Sequence, residues 1–281
     1  EIRGYFYELG KYCSSADVPA AVVITDDNPF VKTLRISGFI DSHPFTQTIT
    51  IKEGDPKIYF DLNIDWKGNV GIGAYRQSDA YVNPERTIYD EKYRVNMYFP
   101  AVMNSAELYK QAPFDVCKSE QESTRFSNWN DIKHNVILGW VGLEDKDGRG
   151  FSLFPDHTTA YAYGDTPLAL AVQASGNGLW GRNYIIDGPT EMSFCIMPHH
   201  LGWQYAGLEY NAWTEPPICS FQKGVPMQRA SFIDLASSGY SISGAYQTDE
   251  GVVLRLYNET PSFSTCKIWV DSSVESMAEV D

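Results

Sequence analysis

Ile58-Tyr59-Phe60-Asp61-Leu62-Asn63-Ile64-Asp65-Trp66 is the stretch whose reading decides the fold. Ile58, Phe60, Leu62, Ile64 and Trp66 alternate with residues suited to a wetter face, and a period of two over nine residues is a half-buried β-strand. Immediately upstream, Phe45 to Lys52 alternates through Ile49 and Ile51. Glu53-Gly54-Asp55-Pro56 lies between the two runs and carries turn residues, so the pair is expected to form a hairpin.

Working outward, strands are expected at Val31 to Phe39, Tyr93 to Phe99, Gly150 to Phe154, Met192 to Met197 and Val252 to Tyr257. Val136-Ile137-Leu138-Gly139-Trp140-Val141 is apolar on both faces, the pattern of a strand buried between two sheets, and Asp145-Lys146-Asp147-Gly148 then turns the chain. Many short strands joined by polar turns describe an all-β sandwich or barrel. Helix is scarce. One is expected from about Leu201, where Trp203, Ala206, Gly207, Tyr210 and Trp213 recur at three- and four-residue spacing before Pro216-Pro217 stops it. A second short helix is expected over Ala106 to Gln111. A boundary between Pro226 and Ser231 divides the chain into residues 1–228 and a smaller four-stranded unit, 229–281, with an acidic tail.

Charge narrows the partners. The 281 residues carry 36 Asp and Glu against 22 Lys and Arg, a formal net charge of −14, and no basic run. Nucleic-acid affinity comes mostly from clustered Lys and Arg neutralising phosphates, so no nucleic-acid partner is expected. The longest apolar runs, Val136 to Leu143 and Leu168 to Val172, fall well short of the roughly 20 residues that span a bilayer. Glu1-Ile2-Arg3-Gly4-Tyr5 shows no signal-peptide pattern, as expected of a mature chain or a piece of a longer one. The five cysteines contain no CxxC pair, and their odd number leaves at least one free thiol in a monomer. Aromatics are abundant, with 18 Tyr, 14 Phe and 7 Trp.

Four blocks, in order, resemble the C-terminal all-β region of glycoside hydrolase family 38, the α-mannosidases. Phe45 to Trp66, with Gly54-Asp55-Pro56-Lys57-Ile58 and the closing Ile64-Asp65-Trp66-Lys67, is similar to that family's segment ending in a hydrophobic-Asp-Trp-Lys signature. Phe99-Pro100 followed by Phe126-Ser127-Asn128-Trp129-Asn130-Asp131 is similar to its tryptophan strand. Met197-Pro198-His199-His200-Leu201-Gly202-Trp203 resembles its Pro-His-x-Gly-Asp-Trp segment entering a short helix, with the acid lost. Asp249 to Asn258 resembles its terminal Arg-Leu-Tyr-Asn strand. The resemblance runs from about residue 18 to about residue 270.

It implies a galactose-mutarotase-like supersandwich followed by a small C-terminal β-sandwich. It also implies an N-terminal catalytic barrel in the same polypeptide, where two carboxylates and a zinc ion carry out retaining mannoside hydrolysis. None of His43, His134, His157, His199 or His200 has Asp two residues on, so the family's His-x-Asp metal motif is missing and no cofactor or metal is expected in this chain. Gln173 stands where many members carry an arginine. No catalytic residue is therefore expected here, and the chain alone should not hydrolyse mannosides.

Trp129, Trp180 and Trp213, with Arg182 beside the second, are the candidate carbohydrate-binding residues, because pyranose CH faces suit aromatic platforms. Core packing competes for the same side chains. His199-His200 invites a metal reading, but neighbours on a strand point to opposite faces, so one is expected packed and hydrogen-bonded and the other exposed. Gly176 to Asn183 is glycine-rich without a phosphate-loop pattern and is expected to be a loop between strands. Two further functions compete. One is a stand-alone carbohydrate-binding module. The other is a mutarotase-like enzyme using His157, His199 or His200 with a carboxylate in a concave pocket. The compartment stays open, with a lean to a secreted or periplasmic one.

Overall fold

The computed structural model describes residues 1–6, 9–68, 70–72, 94–103, 105–113, 115–119, 134–164, 166–177, 183–184, 186–200, 202–215, 218, 223–224, 231–236, 239–258 and 265–279. Its strands begin with β1 (Ile2–Phe6), β2 (Lys11–Ser14), β3 (Ala21–Asp27), β4 (Val31–Ile40), β5 (His43–Lys52), β6 (Ile58–Ile64) and β7 (Arg94–Phe99). They continue with β8 (Glu107–Ala112), β9 (Asp115–Lys118), β10 (His134–Ile137), β11 (Val141–Glu144), β12 (Gly150–Pro155), β13 (Thr159–Ala162) and β14 (Leu168–Ala174). The remainder are β15 (Gly176–Asn177), β16 (Asn183–Tyr184), β17 (Thr190–His199), β18 (Ile233–Leu235), β19 (Tyr240–Thr248), β20 (Gly251–Asn258) and β21 (Ile268–Val270). A 3-10 turn, Trp203–Tyr205, leads into the helix α1 (Ala206–Thr214).

Two antiparallel sheets face each other. One has six strands in the order β10-β13-β14-β7-β1-β2, and the other has nine, β3-β4-β5-β6-β17-β12-β11-β8-β9. The hairpin read from sequence is β5–β6, with Ile49 opposite Phe60 and Phe45 opposite Ile64. Directly opposed residues share a face, so rows can be followed across the large sheet. Leu34, Ile49, Phe60 and Phe194 form one row, and Ile36, Gln47, Leu62 and Met192 another. This inner face meets the small sheet through Val95, Met97, Leu168 and Leu170, all buried. Ile64 and Leu153 on the large sheet are fully buried against them. Trp66 closes the row at the end of β6: its indole N–H donates to Thr190 Oγ1 at 2.7 Å, while the next backbone N–H, of Lys67, donates to His43 Nδ1 at 3.0 Å.

Two expectations need correction. Val136 to Val141 is not one strand. It ends β10 in the small sheet at Ile137, crosses at Leu138-Gly139-Trp140, and starts β11 in the large sheet at Val141. Its unbroken apolar character arises because Ile137 and Val141 line the core between the sheets while Trp140 enters a separate cluster on the outer side. Glycine is needed at the crossing, since a Cβ on Gly139 would lie 2.8 Å from the Tyr210 ring. Ala106 to Gln111 is likewise not helical. Glu107–Ala112 is β8, whose pairing with β11 sets Leu108 opposite Leu143 in the core. A short segment with one apolar anchor carries little periodicity of either kind, and the neighbouring strand decided it.

The expected helix is present. Among the described residues β18, β19, β20 and β21 follow residue 229. β18 pairs with β21 and β19 with β20, and among the described residues none of them pairs with either large sheet. Of Gly176 to Asn183 only Gly176, Asn177 and Asn183 are among the described residues; there β15 pairs with β16, Gly176 opposite Tyr184 and Asn177 opposite Asn183, and the rest of the expected loop lies outside them. We expect Ile64→Ala to lower the unfolding free energy by about 2–5 kcal/mol, because Ile64 is fully buried at the centre of the inter-sheet contact. A urea titration that moved by less than about 1 kcal/mol would contradict that placement.

Candidate functional site

Part of the outer face of the large sheet is covered by α1. Tyr59 of β6, Cys195 of β17 and Phe154 of β12 are opposed across the sheet on that face. They pack against Trp140, Trp203, Tyr210 and Trp213 in a cluster distinct from the main core. Tyr109 stacks on Trp203 with ring centres 5.4 Å apart, and Trp140 stacks on Trp203 at 6.4 Å. Tyr59, on the face of β6 expected to be wetter, thus packs against the cluster beneath α1.

Charged groups hold this helix in place. Lys57, 6% exposed, lies just after the β5–β6 turn. Its ammonium pairs with Asp55 Oδ1 at 3.1 Å and with Glu209 in the first turn of α1, and Tyr59 Oη also donates to Asp55. Burial by itself pushes the Lys57 pKa down, but the hydrogen bonds and charges of Glu209 and Asp55 outweigh it and hold the group charged. Burial likewise pushes Asp55 up, and the bonds from Tyr59 and Lys57 bring it below the usual carboxylate range. Glu144 at the end of β11 accepts the backbone N–H of Trp203 at 2.7 Å. This places a carboxylate at the start of the helical segment, where unpaired N–H groups favour negative charge. Gly202, at φ +95°, lets the chain fold back into that contact.

The histidines divide as their surroundings dictate. His200 is exposed, whereas His199 closes β17 with both ring nitrogens buried and neither in a hydrogen bond of normal geometry. The expected packing is present and the expected hydrogen bond is not. Burial lowers the His199 pKa, a nearby Gly148 backbone group offsetting only part of it. His43, 6% exposed, stacks on Phe6 with ring centres 5.7 Å apart, and burial lowers its pKa against the opposing pull of Asp41. His157 is exposed and pairs with the adjacent Asp156.

A second feature is an open groove of about 590 Å³ lined by residues of both sheets. Phe99 at the end of β7 and Pro100 to Met103 line it, together with Asp145, Arg149, Phe151, Ile196 and Pro198. The Asp145 carboxylate is occupied by the backbone N–H groups of Asp147 and Arg149. None of the three histidines named for a mutarotase-like acid-base pair lines this groove.

Of the four candidate sugar-binding residues, Trp129, Trp180 and Arg182 lie outside the described residues. Trp213, near the end of α1, is half-buried, its ring centre 6.5 Å from Phe154 and 6.4 Å from Tyr210. Gln173 is half-buried at a β-bulge in β14. Lys57 and Glu144 were not singled out from sequence. The acidic partner of Lys57 on α1 is 152 residues away, so no local spacing announces the pair. The four described cysteines, Cys13, Cys117, Cys195 and Cys266, are free thiols.

Comparison with known proteins gives a consistent result. Residues 5–174 match the family described as glycosyl hydrolases family 38 C-terminal domain. An α-mannosidase from Enterococcus faecalis V583 superposes with a TM-score of 0.69 at 12% identity, covering 90% of this chain and 31% of its own. A glycosyl hydrolase family 38 protein from Enterococcus faecalis superposes with a TM-score of 0.66 at 12% identity, covering 92% and 32%. The chain thus spans about a third of the length of these structures. No curated protein matches it in sequence.

Two outcomes follow from the charged groups. Lys57→Ala should cost about 3 kcal/mol, since it strands two carboxylates around a site 7% exposed, and should make Trp203 fluorescence more accessible to quencher. An unchanged quenching curve would show that the ion pair does not hold α1. Second, His43 and His199 have pKa values below the ordinary value near 6.5, so the unfolded chain binds protons before the native one does. Their contribution is complete above about pH 6.5 and falls as pH drops below it. Glu144, raised by burial, works in the opposite sense but nearer its ordinary value of 4.5. Urea midpoints should therefore fall between pH 7.5 and 5.5, and less steeply in His43→Asn.

Proposed function

The chain belongs to the glycosyl hydrolase family 38 C-terminal domain family, and on that premise we propose that it is the β-sandwich portion of an α-mannosidase-like glycoside hydrolase whose catalytic region lies elsewhere in a longer polypeptide. One observation carries the reading. The two superposed structures share nine-tenths of this chain yet devote about a third of their own length to it. The chemistry would then belong to the remainder, as a pair of carboxylates about 5 to 5.5 Å apart acting on a mannoside.

This chain's own residues fit a supporting role. Among the described residues no three His, Cys, Asp or Glu side chains converge to hold a metal ion; the zinc that the family resemblance implies is assigned in this proposal to the remainder of the polypeptide. His43 and His199 are neutral packing groups, and the charged residues around α1 are engaged in fixing the helix. No described helix is long and apolar enough to cross a membrane. We extend the proposal to two finer points: residues 1–228 and 229–281 act as separate β units, and Trp129, Trp180, Arg182 and Trp213 contact the mannoside from the rim of the cleft. Aromatic side chains present broad apolar faces to sugar CH groups, which is the support for that role.

Hydrolysis of an aryl α-mannoside by the whole polypeptide and by this chain alone tests the reading. Activity is expected in the former and none in the latter. Turnover by this chain alone would overturn it, and binding of mannosides by the chain alone at millimolar or tighter affinity would favour a stand-alone binding module.

A further inference from the structure

The large sheet is wider than the small sheet that covers it, and the excess is largely apolar, with the exposed Lys32–Asp27 ion pair beside Ile51 at its far end. Burial on the inner face fades along β4 from Ile40, fully buried, to Leu34, 37% exposed, and along β5 from Phe45, 5% exposed, to Ile51, 50% exposed. The edge strand β3 is exposed throughout, with Val22 and Ile24 each 61% exposed. Pairing places Val22 beside Ile36 and Ile24 beside Leu34, so these side chains prolong the apolar row that begins at Phe194 in the core and the row that begins at Met192, which Gln47 interrupts. Phe30, in the β3–β4 turn, is 73% exposed. A contiguous apolar face of this kind, continuous with a buried core, is an interaction surface rather than scattered exposure.

We propose that this overhang of β3, β4 and β5 is the seat of the remainder of the same polypeptide, the part that contains the catalytic region; this rests on the reading under Proposed function. Two observations favour that occupant. Proteins that share this β portion have about twice its length again in further chain, which supplies a tethered partner at high effective concentration. A second copy is disfavoured by the edge itself. Antiparallel self-pairing of β3 centred on Ile24 would set Asp26 and Asp27 against Val22 and Ala21 of the other copy, desolvating carboxylates on apolar groups. The ladder is also interrupted by a bulge between Ile24 and Asp26, a device that turns an edge away from further pairing. The occupant therefore covers the face and leaves the edge unextended.

Val22→Glu combined with Ile24→Glu in the whole polypeptide is the test, with Val102→Glu, fully exposed on the groove wall, as control. Limited proteolysis should release the β portion at least about tenfold faster from the double variant than from wild type or control, the factor that corresponds to ~1.4 kcal/mol of lost contact. Circular dichroism of the β portion should stay unchanged, since both side chains point to solvent in this chain. Equal release from double variant and control would overturn the proposal. So would light scattering that showed this chain alone to be a dimer dissolved by the double substitution, which would make a second copy the occupant. Absence of mannoside hydrolysis by the wild-type whole polypeptide would strike the reading under Proposed function, and the release rates would report on the seat regardless.

Discussion

Everything in this molecule follows from the need to cover both faces of a nine-stranded sheet. Its inner face carries largely apolar rows running across β4, β5, β6 and β17, and among the described residues the six strands of the small sheet bury the middle and one end of it. Burial of each large aliphatic side chain contributes on the order of 1.5–3 kcal/mol, so the contact between the sheets is the main source of stability. Where the small sheet stops, the rows continue uncovered. On the outer face the same need is met locally, by one short helix laid over Tyr59, Phe154 and Cys195.

That helix is too short to be stable by itself, and its position is determined from outside. Lys57 and Glu144 act from opposite sides: one brings a cation to Glu209, the other a carboxylate to the Trp203 N–H. Both depend on the ends of sheet strands, so the helix reports the register of the sheet beneath it. Trp213 depends on the same arrangement, because its ring rests on Phe154 and Tyr210. Any sugar contact it makes in a larger enzyme would be positioned by the Lys57 network.

Legibility in the sequence followed chemistry that is local. Ile58 to Trp66 declared its strand, its hairpin and its buried face, because alternation and turn residues lie within a few positions of each other. Val136 to Val141 did not declare that it belongs to two sheets, since apolar residues at a crossing look the same as apolar residues in one buried strand. Ala106 to Gln111 became strand through its partner β11, which lies more than thirty residues on. The ion pair that fixes α1 joins residues 152 apart and left no local trace. The rows that run out into solvent were invisible for the same reason, because each strand alone shows ordinary alternation and only their alignment shows that among the described residues the last two are left exposed.

On the proposal above, the exposed rows of β3 and β4 become an internal surface of a longer polypeptide. Amide hydrogen exchange over Ala21 to Ile40, compared between this chain alone and the whole mannosidase-length polypeptide, tests it most directly. The account predicts slower exchange in the whole polypeptide at Val22 to Thr25 and at Leu34 to Ile36, with little change at Ile40, which is already buried. Equal rates in the two proteins across β3 and β4 would contradict it.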